Sequence, residues 1–218
     1  MKTYWQIEGP TRTAPKTPCI AFDKLDGSNL RFEWSKKKGW WKFGTRRRLF
    51  DINDPEFGQA IPIFMEKYSE TLPLVFENKT YRKPEKVIVF CEFYGPNSFA
   101  GFHDYEQMTV TMIDVSIHRK GIVLPRQFVN DFGHLDIPKV IFEGNFGTEF
   151  ISQVRAGKYD VCEGVVAKGV LEGRKNAQHG LWMRKVKTQW WLDELKKRAM
   201  KDEKYKRLLT ENIGEQGE

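Results

Sequence analysis

Cysteine is scarce in this 218-residue chain: Cys19, Cys91 and Cys162 stand far apart. Three scattered thiols exclude a disulfide framework or a zinc site. Two of them sit in apolar runs, which reads as small core residues in a reducing compartment. Also missing is any apolar stretch long enough to span a membrane or serve as an export signal; the chain opens Met1-Lys2-Thr3-Tyr4-Trp5-Gln6. No repeat, low-complexity tract or Gly/Ser linker divides it. The expectation is a soluble, intracellular, cytoplasmic protein that touches no membrane. With 40% hydrophobic residues it can bury a core, so a disordered or collagen-like chain is excluded.

Charge is present but uneven. The formal net charge is +7. Lys36 to Arg48 holds seven basic residues and no acid, and Arg184 to Arg207 holds ten basic and four acidic residues, so the remainder of the chain is net acidic. Basic surface confined to two segments suits a protein that receives a polyanion on one side.

Runs rich in aromatic and β-branched residues, bounded by turn formers, predict strands over Leu30–Trp34, Trp40–Thr45, Lys86–Tyr94, Met108–Ile117, Lys139–Phe142, Glu163–Val170 and Leu181–Lys187. Asp54-Pro55-Glu56 reads as a cap opening a helical stretch through Tyr68 that Pro62 kinks or splits. Shorter helices are expected over Pro125–Phe132 and Thr148–Ala156. A basic amphipathic helix or helix pair is expected from Gln189 to about Glu211. The sum is an α+β fold of mainly antiparallel strands.

The segment that carries chemistry is Lys24-Leu25-Asp26-Gly27-Ser28-Asn29. Alone, Lys-x-Asp-Gly is a weak pattern, since Asp-Gly is a common turn and a nearby lysine is usually solvated. Four patterns follow it in order: Thr45-Arg46; Cys91-Glu92-Phe93-Tyr94-Gly95, with Met112-Ile113-Asp114-Val115 after it; Glu163-Gly164-Val165-Val166; and Arg184-Lys185-Val186-Lys187. Lys185 and Lys187 alternate across one residue, so on a strand both ammonium groups share a face and can grip one phosphate. Glu163 and Val165 are expected to share a face likewise, with Lys168 on the opposite one. A carboxylate near that grip can hold a divalent metal.

In order and content these motifs resemble the covalent nucleotidyltransferase superfamily of polynucleotide ligases and mRNA capping enzymes. Asn29 stands where DNA ligases and capping enzymes usually carry Arg, and RNA ligases similar to the bacteriophage RNA ligase 2 and kinetoplastid editing ligases carry Asn. The resemblance covers Asp23 to Lys187 and implies a nucleotidyltransferase (adenylyltransferase) domain over residues 1–188, with 189–218 as a basic helical extension of the same domain. It implies ATP and Mg²⁺ as cofactors, with Mn²⁺ able to substitute. Lys24 would attack the α-phosphorus of ATP. Asp23 would help read the adenine amino group, and Asn29 and Arg46 would contact phosphates of the nucleotide or of the 5′-phosphate strand. Glu92 would bind the ribose, Glu163 would support the metal, and Lys185 and Lys187 would bind the phosphates. Where the family often stacks an aromatic residue on adenine, this chain has Ile113, which leaves an aliphatic sandwich with Val165 or Val166.

A free lysine ammonium, with a pKa of about 10.4, is less than about 0.1% neutral at pH 7, so a nucleophilic lysine must be desolvated or placed near cations. Mg²⁺, Lys185 and Lys187 would supply that field. Family members commonly continue into an oligonucleotide-binding barrel, but only 31 residues follow Lys187. The catalytic domain is therefore expected to stand alone, as a monomer. Its strand contacts would come from Arg46, Arg48, Lys168, Lys196, Lys197 and Arg198, with Lys201, Lys204 and Arg207 extending the basic face. Trp190 and Trp191 have the chemistry to stack on bases, although tryptophans beside a helix start usually pack on the domain. The implied substrate is nucleic acid with 3′-hydroxyl and 5′-phosphate ends, RNA or an RNA/DNA hybrid being favoured. A small DNA ligase or mixed-strand ligase is the alternative. A non-catalytic nucleic-acid binder has no use for a lysine beside a metal carboxylate.

Overall fold

The computed structural model describes residues 3–10, 17–96, 107–171, 180–203, 205–206 and 209–210. In chain order the strands are β1 (Pro18–Asp23), β2 (Ser28–Ser35), β3 (Gly39–Thr45), β4 (Leu49–Phe50), β5 (Lys86–Tyr94), β6 (Thr109–Ile117), β7 (Gly121–Ile122), β8 (Val140–Asn145), β9 (Gly164–Val170) and β10 (Leu181–Lys187). The helices are α1 (Ala60–Tyr68), α2 (Thr71–Phe76), α3 (Pro125–Phe132), α4 (Thr148–Arg155) and α5 (Gln189–Ala199). The fold is α+β with antiparallel sheets, and the chain divides into two compact units.

One unit comprises Gln6–Lys24, Lys139–Lys175 and His179–Glu218. Its sheet has the order β10-β9-β1-β8, with every neighbour antiparallel. β1 is an inner strand, and Cys19, Ile20, Ala21 and Phe22 are all buried. A strand covered on both faces shows no polar alternation, so this apolar run was not separable from other buried structure by periodicity. One face of the sheet is closed by α4, whose Phe150 and Val154 join Cys19, Ala21, Val165 and Val186 in a core.

The other unit includes Leu25–Pro138 and the described residues up to Trp5. Its sheet has the order β4-β3-β2-β5-β6-β7, also antiparallel. Aromatic rings pack α1 on one face: Phe32 and Phe64 stack at 3.8 Å, and Trp40 meets Phe64 edge-on at 4.8 Å. Residues opposite each other in an antiparallel pair share a face, so Asn29 lines up with Glu92, and Arg31 with Phe90 and Asp114.

Several expectations need adjustment. The helical stretch from Asp54 begins as turns, with the Asp54 carboxylate accepting from the Glu56 and Phe57 amides, both at 3.0 Å. The regular helix starts only at Ala60. Pro62 lies in its first turn, where an amide has no intrahelical partner to lose, so the helix is neither kinked nor split. Of the helix or helix pair expected from Gln189, the described residues show a pair: α5 ends at Ala199, and helical hydrogen bonds resume at Asp202. Lys204, Arg207 and residues 211–218 lie outside the described residues.

Candidate active site

Backbone pairing gathers three charged side chains from distant parts of the sequence. Asp23 faces Val165 across the β1–β9 ladder, and Lys187 faces Gly164 across β9–β10. The Lys24 amide donates to the Gly164 carbonyl at 3.0 Å, and the Thr188 amide to the Glu163 carbonyl at 2.9 Å. Glu163 therefore lies between the ends of two strands, and its carboxylate takes a lysine on each oxygen: Lys24 Nζ at 2.8 Å on Oε2 and Lys187 Nζ at 2.7 Å on Oε1. Burial drives the Glu163 carboxyl up, but the two ammonium groups more than offset this and hold it below the usual carboxylate range. Burial pushes Lys187 down, opposed by Glu163 and reinforced by repulsion from Lys24. Its ammonium also sits 3.6 Å from the ring centroid of Trp191.

Gly164 makes this arrangement possible. Its φ is +147°, and a Cβ there would lie 2.0 Å from the Val186 carbonyl oxygen and 2.8 Å from Lys187 Cα. That φ also breaks strand alternation. The expected common face of Glu163 and Val165 does not form: the carboxylate meets the lysines, whereas Val165 is fully buried in the core against α4. Val166, opposite Lys185, is the valine on the lysine side. Lys185 shares the face of Lys187, and its amide donates to the Glu8 carbonyl at 2.9 Å. Lys168, expected to contact a strand, is only 4% exposed and lies with its ammonium 4.9 Å from the Phe22 ring centroid.

Asn29, Arg46, Glu92 and Ile113 belong to the other unit. Asn29 and Glu92 are direct partners across β2 and β5, and Asn29 Nδ2 is 3.5 Å from the Cys91 carbonyl. Ile113 is the extra residue of a β-bulge, because Phe90 pairs with Asp114 and Cys91 with Met112. The glycine of the Lys-x-Asp-Gly motif packs on β5, where a Cβ at Gly27 would stand 2.4 Å from the Phe93 carbonyl oxygen. Two residues here escaped the sequence reading. The Tyr4 hydroxyl donates to buried Asp114, and its ring lies 4.9 Å from Phe90. Burial first, and then the charges of Asp114 and Glu92, raise this phenol well above its ordinary value. Arg46 Nη2 reaches the Trp5 carbonyl at 3.4 Å. Arg48 is engaged by Asp54 and by Glu56, so its charge is partly neutralised within the fold.

The adjacent tryptophans divide between core and solvent: Trp191 is 1% exposed and Trp190 is 56% exposed. Thr188 caps α5, its hydroxyl accepting from the Trp191 amide at 3.2 Å and donating to the Cys162 carbonyl at 2.8 Å. Lys196 and Lys197 pair with Asp193 and Glu194 one turn back, and Arg198 lies 5.7 Å from the Tyr205 ring centroid.

Among the described residues no group of three or more His, Cys, Asp or Glu forms a metal cage. The donors present suit a hard ion such as Mg²⁺, which keeps waters and needs only one or two carboxylates beside substrate phosphates. Glu163 is ionised, and Asp23 lies close enough for the Glu163 charge to act on it. Burial first, then Glu163 and Asp160, push Asp23 up to about 6. In an unfolded chain this carboxyl titrates near ~3.9, so the unfolded chain binds fewer protons between about pH 4 and pH 6. Asp23 therefore lowers stability progressively as pH rises through that window. Asp23→Asn is expected to raise thermal stability at pH 7–8 by about 1 kcal/mol, allowing for partial exposure, or ~2–4 °C in melting temperature. The gain should vanish near pH 4; melting curves across pH check this, and a pH-independent gain would refute it.

The sequence matches no protein-family model and no curated protein. Solved structures do resemble the fold. The Naegleria gruberi RNA ligase with PPi is matched at a TM-score of 0.57 and 14% identity over 84% of this chain and 52% of that one. A single-substitution mutant of the same ligase with ATP and Mn gives a TM-score of 0.58 at 11% identity over 82% and 52%. An archaeal ATP-dependent RNA ligase gives 0.51 at 16% identity over 89% and 51%. The chain thus has the fold of these RNA ligases and spans about half the length of the structures it matches.

Proposed function

We propose that the chain is an ATP-dependent polynucleotide ligase, acting on RNA ends through a lysyl-AMP intermediate. The observation that carries this reading is the Lys24–Glu163–Lys187 ion triad in a fold shared with RNA ligases. Lys24 Nζ, once out of its ion pair and neutral, attacks the α-phosphorus of ATP: an N–P bond forms, the P–O bond to pyrophosphate breaks, and the amine's remaining extra proton passes to solvent. Lys185 and Lys187 bind the phosphates and offset the charge on the departing pyrophosphate. Glu163 would hold a divalent ion, which supplies positive charge beside the phosphates and favours the neutral amine. Asp23 reads the adenine amino group with Val166 and Ile113 beside the base. Glu92 binds the ribose, and Asn29 and Arg46 bind phosphates. The stored AMP then passes to a 5′-phosphate, and a 3′-hydroxyl displaces it to seal the strand. The protein acts as a monomer with Mg²⁺ or Mn²⁺.

The test is one gel comparing nicked all-RNA, RNA/DNA hybrid and all-DNA duplexes, each with a labelled 5′-phosphate at the nick, with ATP and Mg²⁺. Sealing of the RNA-containing nicks through a transient AMP-capped strand is the expected result. Sealing confined to DNA reassigns the polymer, and the absence of both cap and seal overturns the reading.

A further inference from the structure

The β2–β3 hairpin carries a feature with no role in nucleotide chemistry. Its turn presents Lys36, Lys37 and Lys38, all exposed, and closes on Gly39 at φ +63°. In the ladder below, Glu33 faces Lys42 and Trp34 faces Trp40, so Trp41 is the extra residue of a β-bulge. Bulges re-aim side chains. Trp40 and Phe43 turn inward: the Trp40 indole packs on Phe64 and donates to the Ser69 carbonyl at 3.2 Å, and Phe43 meets Phe32 at 5.7 Å. Trp41 is instead held out and is 38% exposed, with Lys38 Nζ 4.3 Å and Lys42 Nζ 5.3 Å from its ring centroid. The acid nearest in register, Glu33, is buried and paired with Lys86 at 3.4 Å.

The geometry points to Trp41 as a stacking platform for an unpaired base of single-stranded nucleic acid, with Lys36, Lys37, Lys38 and Lys42 meeting the flanking phosphates. An exposed cation–π contact is weaker than base–aromatic stacking, so an arriving base can displace a lysine, which then meets a phosphate. An acidic protein surface would satisfy the lysines but gives no use for a flat ring held out by a bulge. A nucleic-acid strand supplies a π-face and an anion in every repeat. The inference rests on the reading of the chain as an end-joining enzyme and names where a single strand beside the joint is held.

The experiment is anisotropy of a dye-labelled 12-mer of single-stranded oligouridylate titrated with the full chain, without ATP. Trp41→Ala is expected to weaken binding about tenfold and Trp41→Phe less than about threefold. Trp41→Ala should leave the slope of log affinity against log salt unchanged. Lys36→Ala, Lys37→Ala and Lys38→Ala combined should reduce that slope by about 2, at ~0.7 per phosphate. An abasic strand of the same charge should bind the unaltered chain about tenfold more weakly and lose nothing further in Trp41→Ala. A thymidine 12-mer decides the sugar: weaker binding assigns the platform to RNA, and equal binding assigns it to any single strand. Unchanged affinity in a folded Trp41→Ala chain, equal binding of the abasic strand, or tighter binding of a blunt duplex overturns the proposal. Failure of the unaltered chain to take up AMP would instead overturn the ligase reading, because strand binding is read without ATP.

Discussion

Lys24→Ala is expected to take up no AMP, whereas the unaltered chain, given Mg²⁺ and ATP labelled on the α-phosphate, takes up about one per molecule. A nucleophilic amine must combine proximity to the phosphate grip with a route to its neutral form. Lys24 lies one ion pair from Glu163, the same carboxylate that binds Lys187. Lys24→Arg should fail as completely, since a guanidinium with a pKa above about 12 offers no neutral nucleophile. Both variants should fold, because Lys187 still neutralises Glu163. Label retained in Lys24→Ala would remove the proposed nucleophile, and labelling by GTP but not ATP would move the reading to capping.

Glu163→Gln is expected to slow adenylylation at least about 100-fold, the scale of removing a charge partner from a transition state. Glutamine is preferable to alanine because Glu163 is buried, and the amide keeps the shape of the side chain and one oxygen that can still accept from Lys187, whereas truncation leaves that ammonium with no acceptor there. The variant also separates two roles. If Glu163 merely tethered Lys24, its loss would leave two ammonium groups repelling each other, favour the neutral amine and raise the rate. If it holds a divalent ion, the rate falls and the Mg²⁺ needed for half-maximal labelling rises about tenfold or more. Rates over a Mg²⁺ series with parallel melting curves decide this, and a rate equal to or above that of the unaltered chain refutes the metal role.

What the sequence made legible was whatever depends on strand alternation or on turn chemistry. Lys86–Tyr94 and Leu181–Lys187 are strands with the expected bounds, and the common face of Lys185 and Lys187 follows from period two alone. Where alternation is interrupted, the expected face is lost: Gly164 turns Glu163 away from the side of Val165. The bulges at Trp41 and Ile113 likewise leave no trace in residue order. β4 and β7 are two residues long, too short to carry any period. The tie from Tyr4 to Asp114 spans most of a unit and is a product of packing, as is the burial of Lys168 beside Phe22.

The order of β1 in its sheet has a consequence for synthesis. Among the described residues β1 pairs only with β8 and β9, whose first residues, Val140 and Gly164, follow Asp23 by more than a hundred positions. At ~5–20 residues per second, a ribosome takes on the order of ten seconds to deliver β8 after β1. Throughout that interval the apolar segment Cys19 to Phe22 has neither of its ladder neighbours, while the sheet built from Ser28 to Ile122 already has every strand it needs. The strand that delivers Lys24 thus leaves the ribosome well before either of its ladder partners. The apolar segment leading into the proposed nucleophile is therefore a strand edge left open during translation, the kind of edge on which misassociation begins.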